Sequence, residues 1–151
     1  HLPIRMSAHG ERALALAERL FELGIEVVYP GLQHHPDKAL FDELRCPDYG
    51  YGGVLTIDMG NEEAANVLME TLQNKYRFGF MAVSLGYFDT LMSCSGSSTS
   101  SELTDDDKSA AGISPGLLRL SIGYTGTLEQ RWRQLYSALD DVGQVSRRRS
   151  A

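Results

Sequence analysis

Apolar residues recur at three- and four-residue intervals from about Arg5 to Leu23, at Met6, Ala13, Leu14, Ala17, Leu20 and Phe21. That period predicts an amphipathic helix, stopped by Gly24, a residue type suited to the left-handed turn after a last helical residue. The period then shortens. Ile25–Tyr29 alternates as a strand up to a turn at Pro30-Gly31, and Pro36 suits the first turn of a short helix through Ala39, Leu40 and Leu44. A glycine- and tyrosine-rich stretch from Asp48 to Gly53 leads into a strand at Val54–Asp58. Asn61 is placed to cap a helix from Glu62 to Asn74 with an apolar stripe of Ala64, Val67, Leu68, Thr71 and Leu72. Phe78 to Val83 is a further strand that delivers Ser84 to its end, where a scaffold presents site residues. After the run Gly116 to Gly123, Thr127 and Gln130 form the pattern of a capping box, opening a last helix with Leu128, Trp132, Leu135 and Leu139. Helices and strands in this order predict a two-layer α/β domain.

Between Leu91 and Ala111 the character changes. Six serines fall between Ser93 and Ser101, with Cys94, Gly96 and Thr99 among them, and three aspartates follow at Asp105, Asp106 and Asp107. Composition reads this as a loop between two elements of one domain, with Thr104 capping a short turn over the aspartates. The aspartates lack the alternating ligands and glycine of a calcium loop. His9, His34 and His35 complete no ligand set, and Cys46 and Cys94 give neither a disulfide framework nor a metal spacing, so no metal is expected.

The run Gly116-Leu-Leu-Arg-Leu-Ser-Ile-Gly123 sets one guanidinium, Arg119, among apolar residues. Arg119 either lies on the solvent face of a half-buried strand or faces a partner that neutralises it, for which a carboxylate is the natural choice. Ser84 likewise is either a plain turn residue or part of a site.

The chain has 151 residues, 42% of them hydrophobic, and a formal net charge of −6. This supports one domain with its own core. Acidic balance argues against a nucleic-acid partner, and no apolar run is long enough to span a membrane. Arg147-Arg148-Arg149 reads as part of a basic, disordered tail over 143–151, after a packed domain of 1–142 with an entry helix at 1–23. Cysteine usage and the lack of a signal pattern point to a reduced, cytoplasmic setting.

In order and spacing, several segments resemble one family. They are Leu2-Pro3-Ile4-Arg5-Met6, Tyr29-Pro30-Gly31-Leu32 with His35-Pro36, Gly52-Gly53, Ala82-Val83-Ser84-Leu85-Gly86, Gly112-Ile113-Ser114 and the Arg119 run. Together they are similar to the C-terminal domain of the Cys/Met-metabolism PLP-dependent enzymes, over about His1 to Leu139. The resemblance implies the small domain of a fold-type I enzyme, a mostly antiparallel sheet of four to five strands with helices packed on it. It also implies that Arg119 binds the α-carboxylate of an amino-acid substrate, that Ser84 lies against the same carboxylate with Thr99 nearby, and that Val83 faces the distal part of the substrate. An apolar residue at Val83 suits a thioether.

Within the family, Leu91 to Leu103 and Gly123 to Gln130 are similar to the plant-type methionine γ-lyase branch, although Ser95-Gly96 and Ser100 depart from the commoner versions of that loop. The implied reaction is α,γ-elimination of L-methionine, with γ-replacement on an O-acylated homoserine as the alternative within the family. A non-catalytic binding or assembly domain is the alternative outside it. The cofactor implied is pyridoxal 5′-phosphate (PLP). Its lysine and phosphate ligands belong to a large domain, and Lys38, Lys75 and Lys108 have no such setting. The chain alone is therefore expected neither to hold PLP covalently nor to turn over substrate. The implied partners are its own large domain, a sulfur amino acid and further copies in a homotetramer.

Overall fold

In the computed structural model, the described residues are 1–95 and 103–145. Helix α1 (Leu2–Glu22) starts three residues before the apolar period does, with Pro3 in its first turn, where the missing amide donor costs nothing. It ends at Leu23, and Gly24 follows with φ of 75°, as its position predicts. The next elements are strand β1 (Val27–Val28), helix α2 (Lys38–Leu44), a 3-10 turn (Pro47–Tyr49), strand β2 (Val54–Asp58) and helix α3 (Glu62–Glu70). Asn61 caps α3 by accepting from the Ala64 amide at 2.9 Å. Beyond α3 the chain widens into a π-helical turn (Thr71–Lys75) before strands β3 (Gly79–Met81) and β4 (Thr90–Cys94). Helix α4 (Asp105–Ala110), strand β5 (Leu117–Ser121) and helix α5 (Leu128–Asp141) complete the order.

The five strands form one sheet in the order β1-β2-β5-β4-β3, with every neighbouring pair antiparallel except β3 and β4. The α/β class is thus as the residue pattern predicts, and the mostly antiparallel five-stranded sheet is within the four to five strands that the resemblance implies. One face of the sheet carries the core. Leu55 and Ile57 of β2, Leu118 and Leu120 of β5, and Met92 and Cys94 of β4 pack against Ala13, Leu16, Ala17 and Leu20 of α1. Leu68 of α3 and Leu135 and Leu139 of α5 belong to the same cluster. Alternation then sends Thr56, Arg119, Ser121, Leu91 and Ser93 to the opposite face.

Several expectations shift against this architecture. The largest shift is at β4, which the sequence reads as the start of a loop; the structure makes it an inner strand, buried at all of Thr90–Cys94. The stripe of α3 lies on Ala65, Leu68, Met69 and Leu72, and Val67 is exposed. β1 and β3 are shorter than the strands expected at Ile25–Tyr29 and Phe78 to Val83. The expected tail over 143–151 begins too early, because Val145 is buried in the core and extends the packed domain past 142. Residues 146–151 lie outside the described residues.

Candidate functional site

The sheet face opposite the core presents Arg119 in the middle of β5. Thr56 of β2 stands opposite it on one side and Ser93 of β4 on the other. Arg119 donates from Nη2 to the main-chain carbonyl of Ser84 at 3.0 Å. Among the described residues its buried Nε has no hydrogen-bond partner, nor has the buried Ser93 hydroxyl. Among the described residues no carboxylate pairs with Arg119, and Asp58 at the end of β2 already accepts from Ser114 and the Gly60 amide, each at 2.8 Å. A half-buried guanidinium with an unsatisfied Nε, beside an unsatisfied hydroxyl, is suited to take an anionic oxygen.

The turn that meets Arg119 runs from β3 to β4. Val83 is 65% exposed and Leu85 61% exposed, so little burial shapes this turn. Polar bonds do. The Gly86 amide donates to the Ser121 hydroxyl at 3.0 Å, and the Gly86 carbonyl accepts from Arg5 Nη2 at 2.6 Å. Gly86 has φ of 73°, a conformation that a side chain would strain. Two depressions flank the turn. One, of about 360 Å³, is lined by Phe80, Ser84, Tyr87 and Leu91. The other, of about 390 Å³, includes Leu85, Gly86, Ser121 and His9. A larger cavity of about 620 Å³ between Glu62 and Lys108 is lined in part by Gly112, Ile113 and Ser114 and contains none of Arg119, Ser84 and Val83.

Helix α1 ties itself to the surrounding segments through side chains. Arg5 reaches Gly86, His9 Nδ1 lies 2.5 Å from the Ile122 carbonyl, and Arg12 donates to the carbonyls of Thr125 at 2.9 Å and Gly126 at 2.6 Å. A carbonyl only accepts, so His9 Nδ1 carries the proton. Burial, with Arg131 next, lowers the proton affinity of Arg12. At the far end of the turn, Gly123 has no room for a side chain, because a Cβ would run into the backbone of Phe88 and Asp89.

Of the residues expected at a site, Arg119, Ser84 and Val83 are close in space or in sequence on this face, while Thr99 lies outside the described residues. Ser84 meets Arg119 through its main-chain carbonyl, a group that any residue supplies. Arg5, Ser93 and Ser121 had no role read from the sequence. Only Arg5 left a signal there: it precedes His9 by one helical turn, on the inward face of α1. The three histidines that raised the metal question are separated in use, with His9 on Ile122, His34 stacked on Phe21 and His35 accepting from the Asp37 amide.

A small sheet-and-helix domain that presents a half-buried guanidinium on the sheet face opposite its core is the class defined by this fold and geometry. The chain belongs to the Cys/Met metabolism PLP-dependent enzyme family, whose model matches residues 1–129. It is 62% identical to a methionine gamma-lyase of Arabidopsis thaliana over 138 residues, covering 91% of this chain and 31% of that protein. It is 37% identical to an L-methionine gamma-lyase of Fusobacterium nucleatum subsp. polymorphum, covering 80% of this chain and 29% of that protein. Among solved structures, a cystathionine gamma synthase of Xanthomonas oryzae pv. oryzae in complex with aminoacrylate and cysteine superposes with a TM-score of 0.78 at 32% identity. That match covers 91% of this chain and 34% of the other. The chain therefore spans about a third of the length of these relatives. Among the described residues no helix is long and apolar enough to cross a membrane.

Proposed function

We propose that this chain is the substrate-orienting C-terminal domain of a cytoplasmic, PLP-dependent carbon–sulfur lyase, with Arg119 as the residue that takes the α-carboxylate of the amino acid. The carrying observation is the Arg119 guanidinium, half-buried on the sheet face opposite the core, with its Nε unsatisfied and no carboxylate partner among the described residues. A carboxylate set against Arg119 gains a charge-assisted bond and answers the open Nε. The Ser93 hydroxyl is a second donor on the same face, and Thr99 is a third in this reading. Fixing the carboxylate sets the orientation of the Cα bonds, and so bears on which bond breaks.

The residues of this chain do not suit covalent capture of PLP. Lys38 donates to Asp42 at 2.5 Å and Lys75 to Asp141 at 2.5 Å, and these bonds raise the proton affinity of both amines. A protonated, paired ammonium is a poor nucleophile toward an aldehyde. Lys108 sits in α4 on the rim of the cavity beside Glu62 and Ser114, away from Arg119 in this reading. PLP, held by the remaining two thirds of the longer protein, supplies the electron sink. The exposed Phe80, Met81, Val83, Leu85, Tyr87 and Phe88 form the face that docks on that large domain, and the complete enzyme assembles as a homotetramer.

The reaction proposed is L-methionine plus water giving methanethiol, ammonia and 2-oxobutanoate. The 62% identity to a methionine gamma-lyase favours it over γ-replacement, and the apolar Val83 beside Ser84 suits a thioether. The test is to incubate the full-length gene product with PLP and L-methionine, and separately with an O-acylated homoserine plus a thiol. Release of methanethiol and 2-oxobutanoate from methionine supports elimination. Turnover of the acylated homoserine alone makes the protein a γ-replacement enzyme, and turnover of neither leaves the non-catalytic reading.

A further inference from the structure

We propose that Arg5, at the start of α1, is a positioning residue for the carboxylate site: it clamps the Ser84–Gly86 turn against which Arg119 is set. The inference rests on the carboxylate reading of Arg119 above. Three bonds, two from β5 and one from α1, converge on the two ends of the Ser84–Gly86 turn. Arg119 Nη2 holds the Ser84 carbonyl at 3.0 Å, the Ser121 hydroxyl takes the Gly86 amide at 3.0 Å, and Arg5 Nη2 holds the Gly86 carbonyl at 2.6 Å across 81 residues of sequence. The first two come from residues two apart on β5, so they fix the turn to one strand. Arg5 ties it to helix α1.

Within this domain the described residues give the turn little packing, since Val83, Ser84 and Leu85 are exposed and Gly86 brings backbone freedom, so these bonds set its shape before the large domain covers it. Without Arg5, the Gly86 carbonyl loses its bond and the Ser84 carbonyl becomes a moving acceptor. Arg119 would then sample more rotamers, and closing its fork on a carboxylate would cost the entropy that the clamp now removes beforehand. Arg5 does not touch the substrate in this account. Among the described residues the buried Arg5 Nε has no partner, so the guanidinium is bonded through Nη2 to Gly86.

The expected consequence is weaker ground-state and transition-state binding together. In the full-length enzyme, Arg5→Met raises KM for L-methionine by about tenfold with kcat within about twofold, and Arg5→Lys recovers part of the loss by restoring a donor to Gly86. Amide hydrogen exchange at Gly86 accelerates in Arg5→Met. Arg119→Ala is measured alongside. If Arg119→Ala raises KM and Arg5→Met does not, the clamp is refuted and the carboxylate site stands. If neither variant moves KM, the carboxylate site is refuted and the clamp with it. If Arg5→Met lowers thermal stability while KM and Gly86 exchange stay at the parent values, Arg5 is structural only and the inference fails.

Discussion

Arg131 on α5 donates to the Asp89 carboxylate at 2.8 Å, and this ion pair pins the end of the site turn to the last helix. The pair is largely enclosed, with side chains 12% and 18% exposed. The same Asp89 oxygen accepts from the Thr125 hydroxyl at 2.9 Å, and Arg131 also donates to the carbonyls of Arg77 at 3.0 Å and Phe78 at 3.1 Å. One guanidinium therefore joins the segments that lead into β3, β4 and α5.

Truncating Arg131 leaves a partly buried carboxylate without its cation, held only by the Thr125 hydroxyl and the Thr90 amide among the described residues, and takes this donor from two carbonyls. Arg131→Ala is expected to lower unfolding stability by about 3 kcal/mol, while the double variant with Asp89→Asn recovers part of it, because the stranded charge is removed. Urea titration of the single and double variants measures the coupling; strictly additive losses would show that the two side chains act independently.

The acid side of the stability profile follows from three carboxylates. Asp42 is held well below the usual carboxylate range by hydrogen bonds from Lys38, then Tyr51, then Arg45. Glu129 is lowered by Arg19 and Asp141 by Lys75. Groups depressed in the folded state contribute stability above their unfolded pKa of about 4 and lose it as pH falls through the folded value. Stability should therefore be flat from pH 7 to about pH 5 and fall below about pH 4. Asp42→Asn should make that fall shallower, and all three pairs are surface pairs, so added salt should flatten the acid slope further. An unchanged slope in Asp42→Asn would remove this pair from the account.

The paired lysines give a chemical prediction. This chain mixed with equimolar PLP and reduced with borohydride should yield no stoichiometric pyridoxyl adduct by mass spectrometry. An adduct at Lys38, Lys75 or Lys108 would mean that the chain holds the cofactor itself.

Elements whose pattern is local were legible in the sequence. The period of α1 with its Gly24 stop, the strand Val54–Asp58, and the caps at Asn61, Thr104 and Thr127 all recur in the structure. β4 was not legible. Thr90-Leu-Met-Ser-Cys94 is buried on both faces, so it lacks the alternation of a half-buried strand, and its C-terminal end merges with a serine-rich stretch. Its register with β5 is set by contacts about a quarter of a hundred residues away, which no local window contains. At the site, the conspicuous residue was Arg119, because a guanidinium in an apolar run is rare. Its meeting with Ser84 came from the family resemblance and is a main-chain contact in the structure. Ser93 looks like one of a loop's serines and Ser121 like an ordinary strand serine until the register and the Gly86 bond set them beside Arg119 and the turn.

The central claim is that Arg119 receives the substrate carboxylate, and steady-state kinetics of Arg119→Ala in the full-length enzyme test it most directly. The account predicts that kcat/KM for L-methionine falls by about 2 to 4 kcal/mol in transition-state binding, with a smaller loss in Arg119→Lys, which keeps the charge but not the fork. Parent kinetics in a folded, PLP-loaded Arg119→Ala enzyme would contradict it.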